Sequence, residues 1–314
     1  MWIVPSDNYL FLPDKARPVA PLVQVQGGKD PSGPGGIYYD AVIVRRAKLF
    51  EKLFHFVHKG ETLVPERAVN PPGVSDSQTR AENLREMARS QDVAAAVALE
   101  YLGYDVKLGS EGALVDDVLT GSPAAKAGIE PTETIVSVGG KPVRNPADLR
   151  RLLSAHKPGD TVRIGVRNSE GLRTVLVKTA ADPHTPGRAV IGVFVLQAIH
   201  AKLPIPVRID AGSIGGPSAG LAFALDVLEE LGHDVTRGYR VAATGQIEPD
   251  GSVLPIGGVK QKTIGVRRAG VDVFLVPAGD NAKEARKYAG SVRVIPVESF
   301  RQALHALATL PPKR

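Results

Sequence analysis

No cysteine occurs among the 314 residues, which excludes a disulfide framework, a thiolate zinc site and a cysteine nucleophile and leaves the redox compartment undecided. Aromatic residues are few, and none interleaves with the basic pairs Arg45-Arg46, Arg150-Arg151 and Arg267-Arg268. The net charge of +6 is therefore read as a solvated surface, and nucleic acid is not an expected partner. No apolar run reaches the ~18 residues of a membrane span. No Gly-x-x-x-x-Gly-Lys-Ser/Thr phosphate loop is present in the chain. Histidines are few, and His55 and His58, three apart, lack partners at metal-site spacing, so neither a metal nor a cofactor is expected.

With 43% hydrophobic and 23% charged residues, the composition is that of a globular protein long enough for about two domains. Met1-Trp2-Ile3-Val4-Pro5 is an abrupt apolar start, which suits either a first strand or the trailing edge of an anchor. Val19–Gln26 and Ile37–Val44 read as strands, and the Gly/Pro-rich loop 27–36 between them predicts a hairpin. Beyond a second Pro-rich loop, two helices are expected: one from Asp76 or Ser77, with Ala81, Leu84, Met87 and Ala88 on one face, and one over Ser90–Leu102, closed by Gly103.

Residues 104–182 change in texture. Four strands (113–118, 135–138, 161–166, 174–178) surround a helix near 146–155, and Gly121-Ser122-Pro123-Ala124-Ala125-Lys126-Ala127-Gly128-Ile129 makes a helical turn opened by Ser-Pro. After a Pro-His-Thr-Pro-Gly linker (183–187), strands near 189–197, 207–210, 241–244, 273–276 and 292–297 alternate with helices over 219–231, 259–269, 280–289 and 300–307. This alternation predicts an α/β layer, α+β in the chain as a whole.

Two stretches in the last part carry chemistry. Ser218 lies in Gly212-Ser213-Ile214-Gly215-Gly216-Pro217-Ser218-Ala219-Gly220, at the mouth of an apolar helix. The N–H groups of a helix start stabilise developing negative charge, which favours attack on a carbonyl. Gly216-x-Ser218-x-Gly220 also fits a nucleophile elbow, but that chemistry needs a downstream acid and histidine, and only His233 and His305 remain. A lysine is the other available base. It normally titrates near ~10.4 and must be desolvated or sit in positive potential to be neutral. Lys262, in Gly257-Gly258-Val259-Lys260-Gln261-Lys262, falls in the first turns of a helix, whereas Lys260 points to nearly the opposite side.

The wording of two segments resembles known families. Gly121–Ile129 with Ile135-Val136-Ser137-Val138-Gly139-Gly140-Lys141-Pro142-Val143 resembles a bacterial PDZ domain. The resemblance implies a strand–helix groove that takes extended peptides, with a backbone nest for a terminal carboxylate near Tyr101–Tyr104. Leu102, Gly103 and Tyr104 are the candidates for it, and Leu102-Gly103 equally reads as a helix stop. Gly215-Gly216-Pro217-Ser218-Ala219-Gly220, Thr244-Gly245 and Leu254–Lys262 resemble the proteolytic domain of Lon proteases across 188–310.

That resemblance implies Ser218 as nucleophile, Lys262 as general base and Thr244 as the hydroxyl that orients it, with Gly216, Pro217 and Ala219 forming the oxyanion loop. Two residues depart from the ATP-driven members: Gly215 stands where they carry an acid, and Gln246 where a glutamate is common. Asp210 and Glu248 are read as structural carboxylates. The layout is similar to PDZ-containing Lon-like proteases of bacteria and implies domains at 1–103 (strands and helices packing on the protease), 104–182 (PDZ, inserted) and 188–314 (proteolytic). The expected function is ATP-independent cleavage of unfolded or PDZ-recruited proteins, the alternative an inactive peptide-binding adaptor. The resemblance further implies a homo-oligomer and extracytoplasmic domains held by an N-terminal membrane helix, with the chain as given soluble.

Overall fold

A computed structural model of the chain describes residues 5–29, 35–54, 60–70, 76–131, 133–168, 171–182, 185, 187–311 and 313. The opening Met1–Val4, the pair His55 and His58, and Pro183, His184 and Pro186 of the linker lie outside the described residues. The chain forms two compact units. One comprises Met1–Val106 with Leu203–Arg314, and the other, Lys107–Lys202, is inserted between those two parts.

The first unit begins with β1 (Pro5–Pro13), β2 (Gly36–Tyr39) and β3 (Val42–Lys48). The single strand expected over Ile37–Val44 is thus two, separated at Asp40-Ala41. β3 pairs antiparallel with β1, while β2 runs parallel to the strand Arg240–Ala243. The expected hairpin does not form: Val23–Val25 pairs with Val207–Ile209 instead. A loop over 27–36 is longer than the usual hairpin connection of about 2–5 residues, so its flanks are free to join different sheets. Pro21 also sits in a 3-10 turn, Ala20–Leu22, that shortens the first strand.

The two helices expected over 76–102 are one, α1 (Asp76–Tyr101). Ser90, read as a helix start, instead sends its hydroxyl out to the carbonyl of Pro217 at 3.0 Å, so nothing interrupts the backbone ladder. Val93 to Leu99 are all buried, small and apolar on every face, as in a helix enclosed by its own unit. The helix closes at Gly103 (φ +84°), where the N–H of Gly103 donates to Glu100 O and that of Tyr104 to Leu99 O.

The main elements of the second unit are β4 (Lys107–Val118), β5 (Thr134–Val138), α2 (Pro146–Leu153), β6 (Thr161–Asn168), β7 (Gly171–Lys178) and β8 (Val193–Lys202), with the expected turn after Ser122 forming a short helix, Pro123–Lys126. Its sheet runs β7-β6-β5-β4-β8. Ile135, Val138, Ile164, Val166 and Val177 of the sheet pack with Leu149, Leu152 and Leu153 of α2 into one core. Asn145 caps α2 through the N–H of Asp148 at 2.8 Å. The strand expected over 189–197 is broken at Gly192 (φ +76°), and its second part, β8, pairs antiparallel with β4. Residues 188–202 lie in this inserted unit, and the first unit resumes at Leu203.

The first unit then continues with α3 (Gly220–Glu230), β9 (Arg240–Ala243), α4 (Val259–Ala269), β10 (Val273–Pro277), α5 (Asp280–Tyr288), β11 (Arg293–Val297) and α6 (Phe300–Ala308), close to the expected bounds. β2, β9, β10 and β11 are mutually parallel, with Arg17–Pro18 as an antiparallel edge. Every residue of β10 is buried, as a strand covered on both faces requires. The architecture is mixed α/β. β2 and β9 are neighbours, and the residues that follow them, Asp40 and Thr244, leave the same end of the sheet. In open parallel sheets that carboxyl end is where sites form.

Candidate active site

Ser218 enters the site on a tightly held loop. Gly216 adopts φ +86°, a conformation that side chains resist, and Pro217 starts a 3-10 turn, Pro217–Ala219, that runs into α3. The helix α1 braces this turn: Gly216 N–H donates to Asn83 O at 2.7 Å and Ser90 Oγ to Pro217 O at 3.0 Å. From the sheet side, Gly245 N–H donates to Ser218 O at 2.8 Å. Ser218 itself is half-buried. Of the residues expected to form an oxyanion loop, Gly216 has committed its N–H to Asn83 and Pro217 has none, which leaves the N–H groups of Ser218 and Ala219 at the helix start.

Gly257-Gly258 does end a loop, with Gly258 in the left-handed region (φ +69°), and α4 begins at Val259. Lys262 lies in its first turn and is only 4% exposed. Its Nζ is 3.0 Å from Ser218 Oγ, within hydrogen-bond reach. The same Nζ meets Asp40 Oδ1 at 2.5 Å, Asp40 O at 3.3 Å and Thr244 Oγ1 at 3.3 Å. Lys260 turns away, donating to Glu61 O at 2.8 Å and Thr62 Oγ1 at 3.3 Å.

Thr244, fully buried at the end of β9, has its Oγ1 3.1 Å from Asp40 Oδ1 and 3.2 Å from Ser218 O. With one hydroxyl proton it donates to one of these and accepts from Lys262. The structure therefore gathers Ser218, Lys262 and Thr244 from a loop, a helix and a strand end.

Sequence reasoning missed Asp40. A carboxylate ending the apolar strand Ile37-Tyr38-Tyr39 was the available signal. It is 3% exposed, and its Oδ2 is buried with no hydrogen-bond partner among the described residues. Gly215 also acquires a reason: a Cβ there would stand 2.8 Å from Asn83 Cβ. Gln246 donates to Glu248 Oε1 at 2.6 Å, and Glu248 is held by both terminal nitrogens of Arg89 on α1. Asp210 accepts the N–H of Gly212.

His233 and His305, the bases a nucleophile elbow would need, are exposed beyond α3 and on α6. Leu102, Gly103 and Tyr104 are not part of the second unit. Their N–H groups close α1 on Ala98 O, Leu99 O and Glu100 O and are not free to receive a terminal carboxylate. The helix-stop reading of Leu102-Gly103 is the one their geometry fits. Among the described residues no cluster of metal-ligating side chains occurs, and no helix is long and apolar enough to cross a membrane.

Comparison with known proteins adds identity to this geometry. Residues 188–308 match the Lon protease (S16) C-terminal proteolytic domain, and residues 100–179 match the PDZ domain. Lon protease 1 of Bacillus subtilis (strain 168) is 39% identical over 97 residues, 30% of this chain and 12% of that protein. Lon protease 2 of the same organism is 24% identical over 261 residues, 79% of this chain and 46% of that protein. The chain thus spans less than half the length of these relatives. Among solved structures, the PDZ domain of the SdrC-like protein from Listeria monocytogenes aligns at 23% identity and a TM-score of 0.26, over 28% of this chain and 92% of that one. A PDZ domain and a Lon-type proteolytic domain stand together in this chain.

Proposed function

We propose that the chain is an ATP-independent serine endopeptidase that cleaves unfolded or PDZ-recruited proteins with a Ser218/Lys262 dyad. Likeness to the Lon proteolytic domain supports serine peptidase chemistry in general. The observation that carries the finer reading is the 3.0 Å approach of a buried lysine Nζ to the Oγ of a half-buried serine at a helix start. In this reaction neutral Lys262 accepts the Ser218 proton as Oγ attacks the peptide carbonyl. The N–H groups of Ser218 and Ala219 face the oxyanion, and Lys262 then returns the proton to the leaving amine. Thr244 steers the amine.

Recruitment fits an edge of the second unit. β8 is the outer strand beside β4, and α2 packs against both. An extended peptide adding to β8 would lie along α2, in the manner of strand addition. In this reading the peptide is held at the β8 edge and not by the N–H groups of Leu102–Tyr104, which close α1. A homo-oligomer and attachment to a membrane through an N-terminal helix belong to the same reading and rest on the resemblance alone.

The test is cleavage of casein, an unstructured protein, with and without ATP. Wild-type chain cleaves in both, while Ser218→Ala and Lys262→Arg, which cannot release its proton, are inactive but folded. Cleavage surviving Ser218→Ala overturns the nucleophile, and cleavage surviving Lys262→Arg overturns the base. Peptide binding without turnover at any pH makes the chain an adaptor.

A further inference from the structure

We propose that Asp40 is a positioning residue and proton partner of Lys262, an inference that rests on the serine–lysine reading above. Three observations converge on it. Asp40 Oδ1 makes the shortest contact of Lys262 Nζ, 2.5 Å against 3.0 Å to Ser218 and 3.3 Å to Thr244. The same oxygen lies 3.1 Å from Thr244 Oγ1, so one carboxylate fixes both groups that face the serine. Its second oxygen is buried with no partner among the described residues, and so receives none of the hydrogen bonds that usually stabilise a buried carboxylate.

Other charges nearby are engaged elsewhere. Lys260 of α4 turns to Glu61 O, Arg240 of β9 pairs its backbone with Asp272 and its guanidinium with Tyr38, and Arg45 of β3 pairs with Glu51. Among the described residues, Lys262 is thus the charged side chain that Asp40 faces.

The chemistry follows from counting protons. An ammonium paired with a carboxylate cannot accept the proton of Ser218. Moving one proton from Nζ to the carboxylate turns the ion pair into a neutral amine and a carboxylic acid, with no change in total charge. The neutral pair avoids two buried charges, and its amine can take the serine proton as Oγ bonds to the carbonyl carbon. Asp40 keeps its proton while the Lys262 ammonium passes the other to the leaving amine. In this scheme the resting enzyme stores its base as an ion pair and releases it within the dry site, without a proton leaving to solvent.

The experiment is the pH profile of kcat/KM for Asp40→Asn and Asp40→Glu, with Ser218→Ala as reference. Asp40→Asn should lose about 100-fold in kcat at neutral pH and move the rising limb of its profile to higher pH, because the Lys262 proton must now leave to solvent instead of passing to a carboxylate. Asp40→Glu should restore the limb while staying slower than wild type. Asp40→Asn with wild-type kcat, or with reduced kcat and an unmoved limb, overturns the proposal. Should Asp40→Asn fail to fold, infrared difference spectra of a boronate adduct on Ser218 against the resting enzyme, in wild type and Asp40→Glu, decide the point: a buried carboxylic-acid carbonyl band that arises in the adduct at neutral pH and is shifted by the substitution supports the proposal, and an adduct without that band overturns it. Residual cleavage in Ser218→Ala would instead sink the dyad reading itself.

Discussion

Asn83 of α1 and Gly215 of the serine loop meet so closely that a methyl group on Gly215 would lie 2.8 Å from Asn83 Cβ. The contact, together with the bond from Gly216 N–H to Asn83 O, gives α1 control over the loop. It also explains why this chain departs from an acid at position 215, since any side chain there must displace the helix.

Gly215→Ala should accordingly destabilise the fold by about 1–3 kcal/mol, the usual range for overpacking, and lower kcat more than it raises KM. The double variant Gly215→Ala/Asn83→Gly should be more stable than the sum of the two single effects predicts, because each relieves the other's contact. Urea unfolding of the four chains measures the coupling. Additive losses would show that the loop yields without the helix.

Ser90 braces the same loop from the next turns of α1. Ser90→Ala removes the bond to Pro217 O at 3.0 Å and leaves a carbonyl short of a donor, at a cost of about 1 kcal/mol. The expected signature is a fall in kcat with little change in Tm, since the loop rather than the core is loosened. A large fall in Tm with unchanged kcat would make Ser90 a packing residue only.

Lys262 and Asp40 should also be coupled in stability. Lys262→Met leaves a buried carboxylate unpaired, which costs about 3–5 kcal/mol, whereas adding Asp40→Asn removes the stranded charge and should recover most of the loss. Chemical denaturation at neutral pH tests this. A double variant no more stable than Lys262→Met would mean that the two side chains do not share their burial cost.

The serine and lysine segments were legible because each is local: a glycine at positive φ and a helix start reveal themselves in a few consecutive residues. Asp40 was not, since it reaches Lys262 across 222 positions of sequence, beyond the whole inserted unit, and only the parallel pairing of β2 with β9 brings it there. Ser90 misled for a related reason. A serine within a helical pattern reads as a cap, but here its hydroxyl serves a distant loop and the helix runs on. Gly103 shows the same ambiguity in reverse, because a glycine at positive φ marks a helix end and a nest with the same residue. The alternation of β10 and its neighbouring helices, by contrast, followed from burial of consecutive apolar residues and was read nearly to its ends.

Strand addition at β8 makes a prediction about Phe194, which is 55% exposed at the start of that edge strand. A peptide laid along β8 should cover its ring, so Phe194→Ala should weaken binding of a recruited peptide about tenfold. Cleavage of a short peptide that needs no recruitment should stay at the wild-type rate. Fluorescence anisotropy gives the first quantity and a fluorogenic assay the second. Unchanged binding would move the groove to another edge, β7 being the other end of the sheet.

Behind the serine, α3 carries Asp226, 1% exposed and with Oδ2 lacking a partner among the described residues. Burial, with Glu230 and Glu229 adding their charge, pushes its carboxyl up to about 8. In the unfolded chain the same group ionises near ~3.9. Between those values the folded state holds a proton that the unfolded state has lost, so stability falls as pH rises from about 4 to about 8 and then levels off. The full difference is worth up to about 6 kcal/mol. Asp226→Asn places a neutral amide where the protonated acid stood and should remove most of this slope, leaving the variant more stable than wild type at pH near ~8 and close to it at pH near ~4. Urea midpoints across this range test the sign. If the variant falls in parallel with wild type, the slope comes from another acid, with Glu229, also raised by burial, the next to substitute.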